Sequence, residues 1–328
     1  MQRAVVPDPG YRKRLRRKRI LTFWRRVRQP FVSALDFLLV LIARLAVRSI
    51  RRMDPDKCSN FFGRIARRCG PWLPVSRVGR ANLAAAFPEK SEAEREAILK
   101  GVWENLGRMA GEFLNLDRMW DFDQYKPEHE QGRIKIAPIN VDRFQELKDD
   151  GKPALIFSAH LANWELAAIC ARTYGLDTAV LFRPPNMKFM AELIRENREN
   201  MMPRLVAAGR AGVFALAREL KQGTHLGMLV DQKRRPGVPV RFFGRQCLAN
   251  PMFAQLAREY ECPVRGTRVI RLPGNALRLE MTDDIELPRG SDGRIDVRAT
   301  MQVITSIIEG WVREHPEQWL WLHRRWGD

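Results

Sequence analysis

The sequence has few cysteines, and those it has are widely separated. The five in 328 residues form no Cys-x-x-Cys pair and no Cys/His spacing typical of a zinc site. They are Cys58, Cys69, Cys170, Cys247 and Cys262. Their odd number and scatter predict reduced, mostly buried thiols, so we expect the main part of the chain to face the cytoplasm.

Acidic residues are scarce relative to basic ones. The chain has 57 Lys and Arg against 38 Asp and Glu, a formal charge of +19. This excess calls for an anionic partner, which could be nucleic acid, anionic lipid or an acidic protein. No nucleic-acid-binding module is recognisable and the basic residues gather beside an apolar segment, so we expect no nucleic-acid partner.

A membrane-spanning helix needs about 20 consecutive apolar residues, and the sequence has no apolar run of that length. The longest candidate is the fifteen residues between Arg28 and Arg44, in which Asp36 is the only charge. Basic residues flank it on both sides, and no signal-peptide cleavage site follows. We therefore predict that residues 1–52 form a basic head and a membrane-anchoring helix in an anionic lipid interface. The alternative is a buried helix with a solvated basic tail.

Residues 53–328 are predicted to form one α/β domain whose first part, to about residue 130, is helical. Ser91 and Glu94 form a capping box ahead of a long helix there. From about Gly132, short β-like runs alternate with helical patterns, which predicts an α/β/α sandwich with a mostly parallel mixed sheet. The N-terminal helices would form a lid or anchor. The runs are Ile134–Ile136, Ala154–Ser158, Ala179–Phe182, Leu226–Val230, Val264–Ile270 and Ala276–Met281, and the helical patterns cover 161–174, 187–202, 211–222, 250–261 and 297–315.

The stretch PALIFSAHLANWELAAICA, residues 153–171, contains the strongest candidate for chemistry. A buried strand pattern precedes His160, which puts this histidine at the carboxyl end of a strand, where α/β folds bind ligands. On a continuous helix His160 and Glu165 would be about 140° apart. If His160 lies in the turn before the helix, Glu165 can fold back to its ring and raise its basicity. For this pair alone, a capped helix start with an incidental histidine is the alternative.

The motif HLANWEL resembles the His-x4-acid motif of glycerolipid acyltransferases, in the glutamate form typical of lipid A biosynthesis late acyltransferases. Further blocks agree in the same order: RVGRANLAAAFPEKSEAEREAI, VLFRPPNMKFMAELIRENR, GMLVDQKRRPGVPVRFFG and the closing PEQWLWLHRRW. The resemblance covers roughly Phe31 to Trp326. The unusually basic head before residue 20 and the short, charge-interrupted anchor depart from the family pattern.

The resemblance implies a direct acyl transfer without a cofactor or a metal. His160 would be the general base and Glu165 its orienting partner, with Asp231 as the alternative partner if Glu165 only starts the helix. The donor would be acyl-acyl carrier protein, and the acceptor a 3-hydroxyacyl chain on a Kdo-bearing lipid A precursor. No Gly-x-Ser-x-Gly elbow is present, so no acyl-enzyme is expected. The family works at the bacterial inner membrane, with the catalytic domain on the cytoplasmic face.

Arg183, Arg198 and Asp231 are the substrate-binding residues that the resemblance implies. Guanidinium groups suit phosphates and carboxylates on the acceptor and an acidic carrier protein. Lys233, Arg234 and Arg235 either join them or form a solvated basic loop. Asp231 follows the strand-like GMLV and should lie near His160.

Two other enzyme classes remain as alternatives. A metal hydrolase could use His160, Glu165, His225 and Asp231, but the chain lacks His-Glu-x-x-His or a comparable ligand spacing. A glycerolipid or lysophospholipid acyltransferase would share the His-x4-acid motif. The glutamate and the closing signature argue against it. His323, in that signature, is expected to be a structural partner, and His129, His225 and His315 to be packing or surface residues.

Overall fold

The computed structural model describes residues 44, 45, 47–182 and 202–327 of the chain. The chain divides into two compact units, Met1–Arg52 and Met53–Asp328. Most of the first unit, including the apolar segment at 29–43, lies outside the described residues. Within the described ranges no helix is both long enough and apolar enough to cross a membrane. The anchoring role of residues 1–52 stays a prediction.

Three helices form the first part of the second unit: α1 (Pro55–Cys69), α2 (Ser76–Ala86) and α3 (Glu92–Phe113). Asp54 caps α1 by accepting hydrogen bonds from the backbone N–H groups of residues 56 and 57. The predicted capping box of α3 is confirmed, because Ser91 accepts from the Glu94 N–H and the Glu94 side chain accepts from the Ser91 N–H. Such caps satisfy backbone donors that have no partner inside the helix.

Helices α1 and α3 pack with their backbones close together because glycines line their contact. A Cβ at Gly107 would overlap the carbonyl oxygen of Phe62, and one at Gly111 would lie 3.0 Å from that of Cys58. On α1, a Cβ at Gly63 would lie 2.7 Å from the Arg108 side chain. This contact fixes the position of α1 on the rest of the unit.

Within the described ranges the main sheet has seven strands, in the order β1-β9-β8-β2-β5-β3-β4. All neighbours are parallel except β8 and β9, which are antiparallel. A separate antiparallel hairpin is formed by β6 and β7. The strands are β1 (Ile134–Lys135), β2 (Leu155–Ser158), β3 (Thr178–Phe182), β4 (Arg204–Ala207), β5 (His225–Leu229), β6 (Lys233–Phe242), β7 (Arg245–Ala249), β8 (Val264–Arg271) and β9 (Leu277–Met281).

Helices cover both faces of this sheet. On one face Phe157 of β2 meets Phe253 edge-on at 6.0 Å and stacks on Trp311 at 5.6 Å between ring centroids. On the other face Ile156 packs in a buried cluster with Ala171. The predicted α/β sandwich with a mostly parallel mixed sheet is therefore confirmed. The helices are α4 (Pro138–Asp149), α5 (Glu165–Thr173), α6 (Arg210–Lys221), α7 (Met252–Tyr260) and α8 (Val297–Glu314).

Several elements differ from the sequence-based expectation. The helix expected from residue 161 begins at Glu165, because Ala162 has a φ of 46° that no helix accommodates. Helix α4, strand β4 and the β6–β7 hairpin were not predicted. Strand β6 reads KRRPGVPVRF, whose Pro, Gly and Arg are typical of a loop, and its pairing depends on β7 and on Gln302 of α8, which bonds to Arg241. The pattern at 187–202 falls outside the described residues except for Met202.

We expect Gly107→Ala to lower the free energy of unfolding by roughly 1–3 kcal/mol, because its methyl group would push α1 away from α3. Gly310→Ala is the matched control, since that helical glycine has no neighbour within 4 Å of its would-be Cβ. It should instead stabilise by up to about 1 kcal/mol through helix propensity. Urea denaturation of both variants makes the comparison. Equal effects at the two sites would contradict the close α1–α3 contact.

Candidate active site

Two predicted residues meet where neighbouring strands of the sheet end. His160 comes two residues after β2, and Asp231 two residues after β5. The two strands are parallel, with Ser158 opposite Leu229, so their carboxyl ends lie side by side. The Val230 N–H donates to the Ser158 carbonyl at 3.1 Å and continues the pairing past the strand end. The fold thus brings together two residues that are 71 positions apart.

His160 and Asp231 form a buried pair with two hydrogen bonds. Nδ1 of His160 lies 2.7 Å from Oδ1 of Asp231, and the His160 backbone N–H donates to Oδ2 at 2.8 Å. The Asp231 side chain is 1% exposed and the His160 side chain 16%. Because an ionised carboxylate only accepts hydrogen bonds, Nδ1 carries the proton of this contact. In the neutral ring Nε2 then keeps its lone pair, and the exposed Gln232 amide lies 3.2 Å from it.

A third donor to the Asp231 carboxylate comes from the end of the chain. The indole Nε1 of Trp319 donates to Oδ2 at 2.7 Å, and Trp319 is fully buried. Backbone contacts hold this segment against the histidine turn, since the Leu320 N–H donates to the His160 carbonyl at 3.1 Å and Leu161 forms a β-bridge with Trp319. The closing segment therefore acts directly on the geometry of the site.

These contacts determine the charge of the carboxylate. Burial alone would raise the pKa of Asp231, but the charge of His160 and the hydrogen bonds from its ring and backbone outweigh it, so the pKa lies below its usual value. His323 packs edge-on against Trp319, with ring centroids 5.3 Å apart. Burial lowers the pKa of His323, and its Nδ1 bonds to the Leu320 carbonyl at 2.8 Å. This position suits the structural part expected for His323.

The turn from His160 to Glu165 has an irregular backbone held by side chains. Ala162 adopts a positive φ of 46°, which costs on the order of 1 kcal/mol for a residue with a Cβ. Its N–H donates to the Gln318 carbonyl at 3.0 Å. Asn163 accepts from the Glu165 N–H at 3.3 Å through Oδ1 and donates to Glu112 at 2.9 Å through Nδ2. Glu165 is 5% exposed and is the first residue of α5.

A buried ion pair supports this turn from the helical part of the unit. Glu112, at the end of α3, binds Arg271 of β8 through two contacts of 2.5 and 3.0 Å. Ser59 of α1 also donates to Glu112 at 2.9 Å. Burial would raise the pKa of Glu112, but the Arg271 charge and the hydrogen bonds hold it below its usual value. Through Asn163, this pair links α1, α3 and β8 to the histidine turn.

The structure places the other predicted residues as follows. Glu165 was expected to fold back onto the His160 ring, but at Nδ1 that position is taken by Asp231. Arg183 and Arg198 lie outside the described residues. Lys233 opens β6, and its ammonium donates to the Gly327 carbonyl. A substrate-binding role for Arg183 and Arg198 and a catalytic role for Glu165 stay predictions.

Sequence reasoning did not identify Trp319, Gln232 or Glu112 as part of the site. Trp319 stands in the quoted closing signature, but nothing in the sequence shows that its indole donates to Asp231. Gln232 directly follows Asp231 and could have been found by proximity alone. Nothing in the sequence marks Glu112 as part of the site. It is 51 residues from Asn163, and other glutamates occur in the helices of this chain.

His225, which the metal-hydrolase alternative requires, lies at the opposite end of β5 from the site. It begins β5, while Asp231 follows the end of the same strand. The Ala154 N–H donates to Nδ1 of His225 at 3.1 Å, and burial lowers the pKa of this ring. In the part of the chain that the structure describes, no three His, Cys, Asp or Glu side chains come together as metal ligands. His225 is therefore a packing residue, as expected.

Comparisons with known protein families and with individual proteins point to the same family. Residues 26–327 match the family described as bacterial lipid A biosynthesis acyltransferase. A lipid A biosynthesis palmitoleoyltransferase of Escherichia coli (strain K12) is 23% identical over 273 residues, covering 81% of this chain and 83% of that protein. A lipid A biosynthesis acyltransferase of Shigella flexneri shows the same identity and coverage. The resemblance found in the sequence is confirmed.

The Asp231 contacts predict a pH-dependent stability difference between the wild type and Asp231→Asn. The folded pKa lies below the ordinary value of 3.8, so the ionised carboxylate stabilises the fold above about pH 4. Near pH 7 the variant should be less stable by about 3 kcal/mol. The difference should shrink as the pH falls below about 4 towards the folded pKa. Urea denaturation over a pH series measures it.

The exposed Asp149 supplies the control for this measurement. Asp149→Asn should stay within about 0.5 kcal/mol of the wild type at every pH. A gap between Asp231→Asn and the wild type that stays constant down to pH 3 would show that the charge of the Asp231 carboxylate does not stabilise the fold.

Proposed function

This chain belongs to the bacterial lipid A biosynthesis acyltransferase family, and we propose that it adds a secondary acyl chain to a Kdo-bearing lipid A precursor. The donor is an acyl-acyl carrier protein, and the acceptor is the hydroxyl of a 3-hydroxyacyl chain. The observation that supports this most directly is the His160 ring held by a buried carboxylate at a strand end. That arrangement suits a base that activates a hydroxyl.

The transfer needs one base and no acyl-enzyme. Nε2 of His160 takes the proton from the acceptor hydroxyl while the oxygen attacks the thioester carbonyl. The tetrahedral intermediate then collapses, breaking the carbon–sulfur bond. The proton on Nε2 passes to the leaving thiolate, and His160 returns to its neutral form. Nδ1 keeps its proton throughout, because Asp231 accepts a hydrogen bond there at 2.7 Å.

Asp231 orients His160 and stabilises the imidazolium that forms during transfer. Its carboxylate is 1% exposed and has three hydrogen-bond donors around it, so it has little access to a substrate. We therefore assign it a positioning role in place of the substrate contact expected from the sequence. Glu165, buried at the first turn of α5, stays the second catalytic carboxylate that the sequence predicts, proposed to help stabilise the imidazolium.

The substrates proposed here are anionic, and the chain carries a formal charge of +19. Arg183 and Arg198 are proposed to bind phosphate or carboxylate groups of the acceptor. The basic surface would also attract the acidic carrier protein, with attraction that weakens as salt rises. We propose that the enzyme works on the cytoplasmic face of the inner membrane, in contact with anionic lipid, and that no metal or cofactor takes part.

A transfer assay distinguishes this function from that of a lysophospholipid acyltransferase. Purified full-length protein is incubated with acyl-acyl carrier protein and either the Kdo-bearing precursor or a lysophospholipid, and mass spectrometry detects the added acyl chain. We expect a gain of one acyl chain on the precursor alone. Acylation of the lysophospholipid instead would show that the acceptor is a glycerolipid.

Within this assay His160→Ala should reduce the rate by about 10²–10⁴-fold, the usual contribution of a general base. His129→Ala is the matched control, since that ring is 78% exposed and lies outside the site. It should keep the wild-type rate. A loss smaller than tenfold for a stably folded His160→Ala would exclude His160 as the base.

The variants Asp231→Asn and Glu165→Gln distinguish the roles of the two carboxylates. If Asp231 stabilises the imidazolium, Asp231→Asn should lower kcat by at least about tenfold with little change in the KM of the acceptor. Glu165→Gln should also lower kcat if Glu165 acts on the reacting groups. A raised KM at nearly normal kcat would assign Glu165 to substrate binding instead. A near-native Glu165→Gln would leave it as a helix-start carboxylate.

A further inference from the structure

Helix α1 and the turn after it expose an unusual group of apolar side chains. The most exposed is Trp72, at 87%, followed by Phe61 at 50%, Leu73 at 48%, Ile65 at 46% and Val75 at 39%. Such side chains scattered singly over a surface need no explanation, but these five fall within 15 residues of one another. They form what we call the α1 patch.

The part of the patch that lies on α1 belongs to one exposed face of this helix, which carries both apolar and basic side chains. Lys57, Phe61, Arg64, Ile65 and Arg68 are exposed and follow the spacing i, i+4, i+7, i+8 and i+11, which is one stripe of a helix. The opposite face of α1 is fixed by the glycine-lined contact with α3, where a Cβ at Gly107 would overlap the Phe62 carbonyl. The exposed stripe therefore cannot turn inward without separating the two helices.

The segment that carries the patch has basic side chains and no acidic ones to neutralise their charge. Residues 57–80 contain six Lys and Arg and no Asp or Glu. A shallow concavity beside Trp72 is lined by Arg64, Arg68 and Lys100 among other cations, and by one carboxylate, that of Glu96. The Glu96 carboxylate binds Arg80, and that of Glu104 on α3 binds Arg67 and Arg108. Among the described residues, none of the acidic side chains forms an ion pair with Arg64 or Arg68.

We propose that the α1 patch docks onto an anionic lipid bilayer, with Trp72, Phe61 and Ile65 inserted among the headgroups and the flanking arginines bound to lipid phosphates. Tryptophan prefers the boundary between headgroups and acyl chains, and arginine can bury its stem while its guanidinium stays with the phosphates. A helix with an apolar stripe beside basic residues lies flat in such an interface.

An acidic protein is the other partner that a basic surface attracts, but the apolar stripe favours lipid. A carrier protein steered by charge meets a largely polar rim, whereas this surface includes Trp72, which is 87% exposed. The chain preceding α1 also favours lipid, because residues 29–43 are the apolar segment with basic flanks. The patch would give the second unit a membrane contact of its own, next to that segment in sequence.

This contact would also give the site a fixed relation to the lipid surface. The inner face of α1 packs on α3, and Glu112 near the end of α3 binds Arg271 and Asn163 beside the histidine turn. An acceptor with acyl chains in the same bilayer would then meet His160 at a constant height. The inference about docking does not depend on the proposed acyl transfer.

Cys69 provides a reporter within the patch. It is exposed, whereas Cys58, Cys170 and Cys247 are buried, and burial raises the pKa of Cys262 to about 11 so that its thiol reacts slowly. The full-length protein is labelled with an environment-sensitive maleimide dye and mixed with phosphatidylglycerol or phosphatidylcholine vesicles whose acyl chains are brominated. We expect a blue shift and at least about twofold quenching with phosphatidylglycerol only.

The position control carries the same dye on Ser291→Cys in a Cys69→Ser background. Ser291 is exposed in a turn of the second unit, far from α1 in sequence. It should show neither shift nor quenching. If vesicles sediment the protein while the dye at Cys69 stays unquenched, membrane binding uses other segments and the α1 patch is not a docking surface.

Trp72→Ser tests the apolar contact without a label. It should lower the fraction of protein bound to phosphatidylglycerol vesicles several-fold in a sedimentation assay. Phe214→Ser is the matched control, because Phe214 is an aromatic residue on α6 that is 77% exposed. It should bind as the wild type does. Equal binding by both variants would overturn the proposal, as would a shift of the Cys69 dye on adding acyl carrier protein but not vesicles.

Discussion

The carboxylate of Asp231 is the group on which the geometry of the site depends. A buried carboxylate with no hydrogen-bond donors would be strongly destabilising, so its neighbours must supply them. The donors come from His160, through backbone and ring, and from the Trp319 indole. One buried charge thus connects two strand ends with the last segment of the chain. It also fixes the tautomer of His160, which leaves Nε2 as the basic nitrogen.

A second buried charge, Glu112, supports the same turn through Asn163. Its ion pair with Arg271 contributes little net stability, because the cost of desolvating both ions offsets much of their attraction. Removing one partner, however, would leave a charge buried alone. The pair therefore keeps α3 and β8 in one arrangement. Asn163 connects this pair to the turn between His160 and Glu165, because it bonds to Glu112 and to the Glu165 N–H. The strained φ of Ala162 persists because contacts on both sides hold it.

Parts of the fold could be predicted because their signals are local. The strands of the main sheet that read as apolar runs, the capping box at Ser91 and the position of His160 all follow from short patterns of residues. Strand β6 could not be predicted, because Pro, Gly and Arg are poor strand formers and its pairing depends on β7 and α8. Helix α4 and strand β4 were missed as well. Only residue 206 of β4 is buried, so its apolar signal is weak.

By itself the sequence determined the family, the α/β class, the histidine and two candidate acids, each within its own motif block. These follow from residue types at fixed short spacings, which a linear sequence shows directly. Only the tertiary structure decided which acid lies at Nδ1 of the ring. Glu165 is five residues from His160 and Asp231 is 71, yet parallel pairing of β2 with β5 brings Asp231 to 2.7 Å. Strand order is set by contacts between distant segments, and no spacing within one segment contains that information.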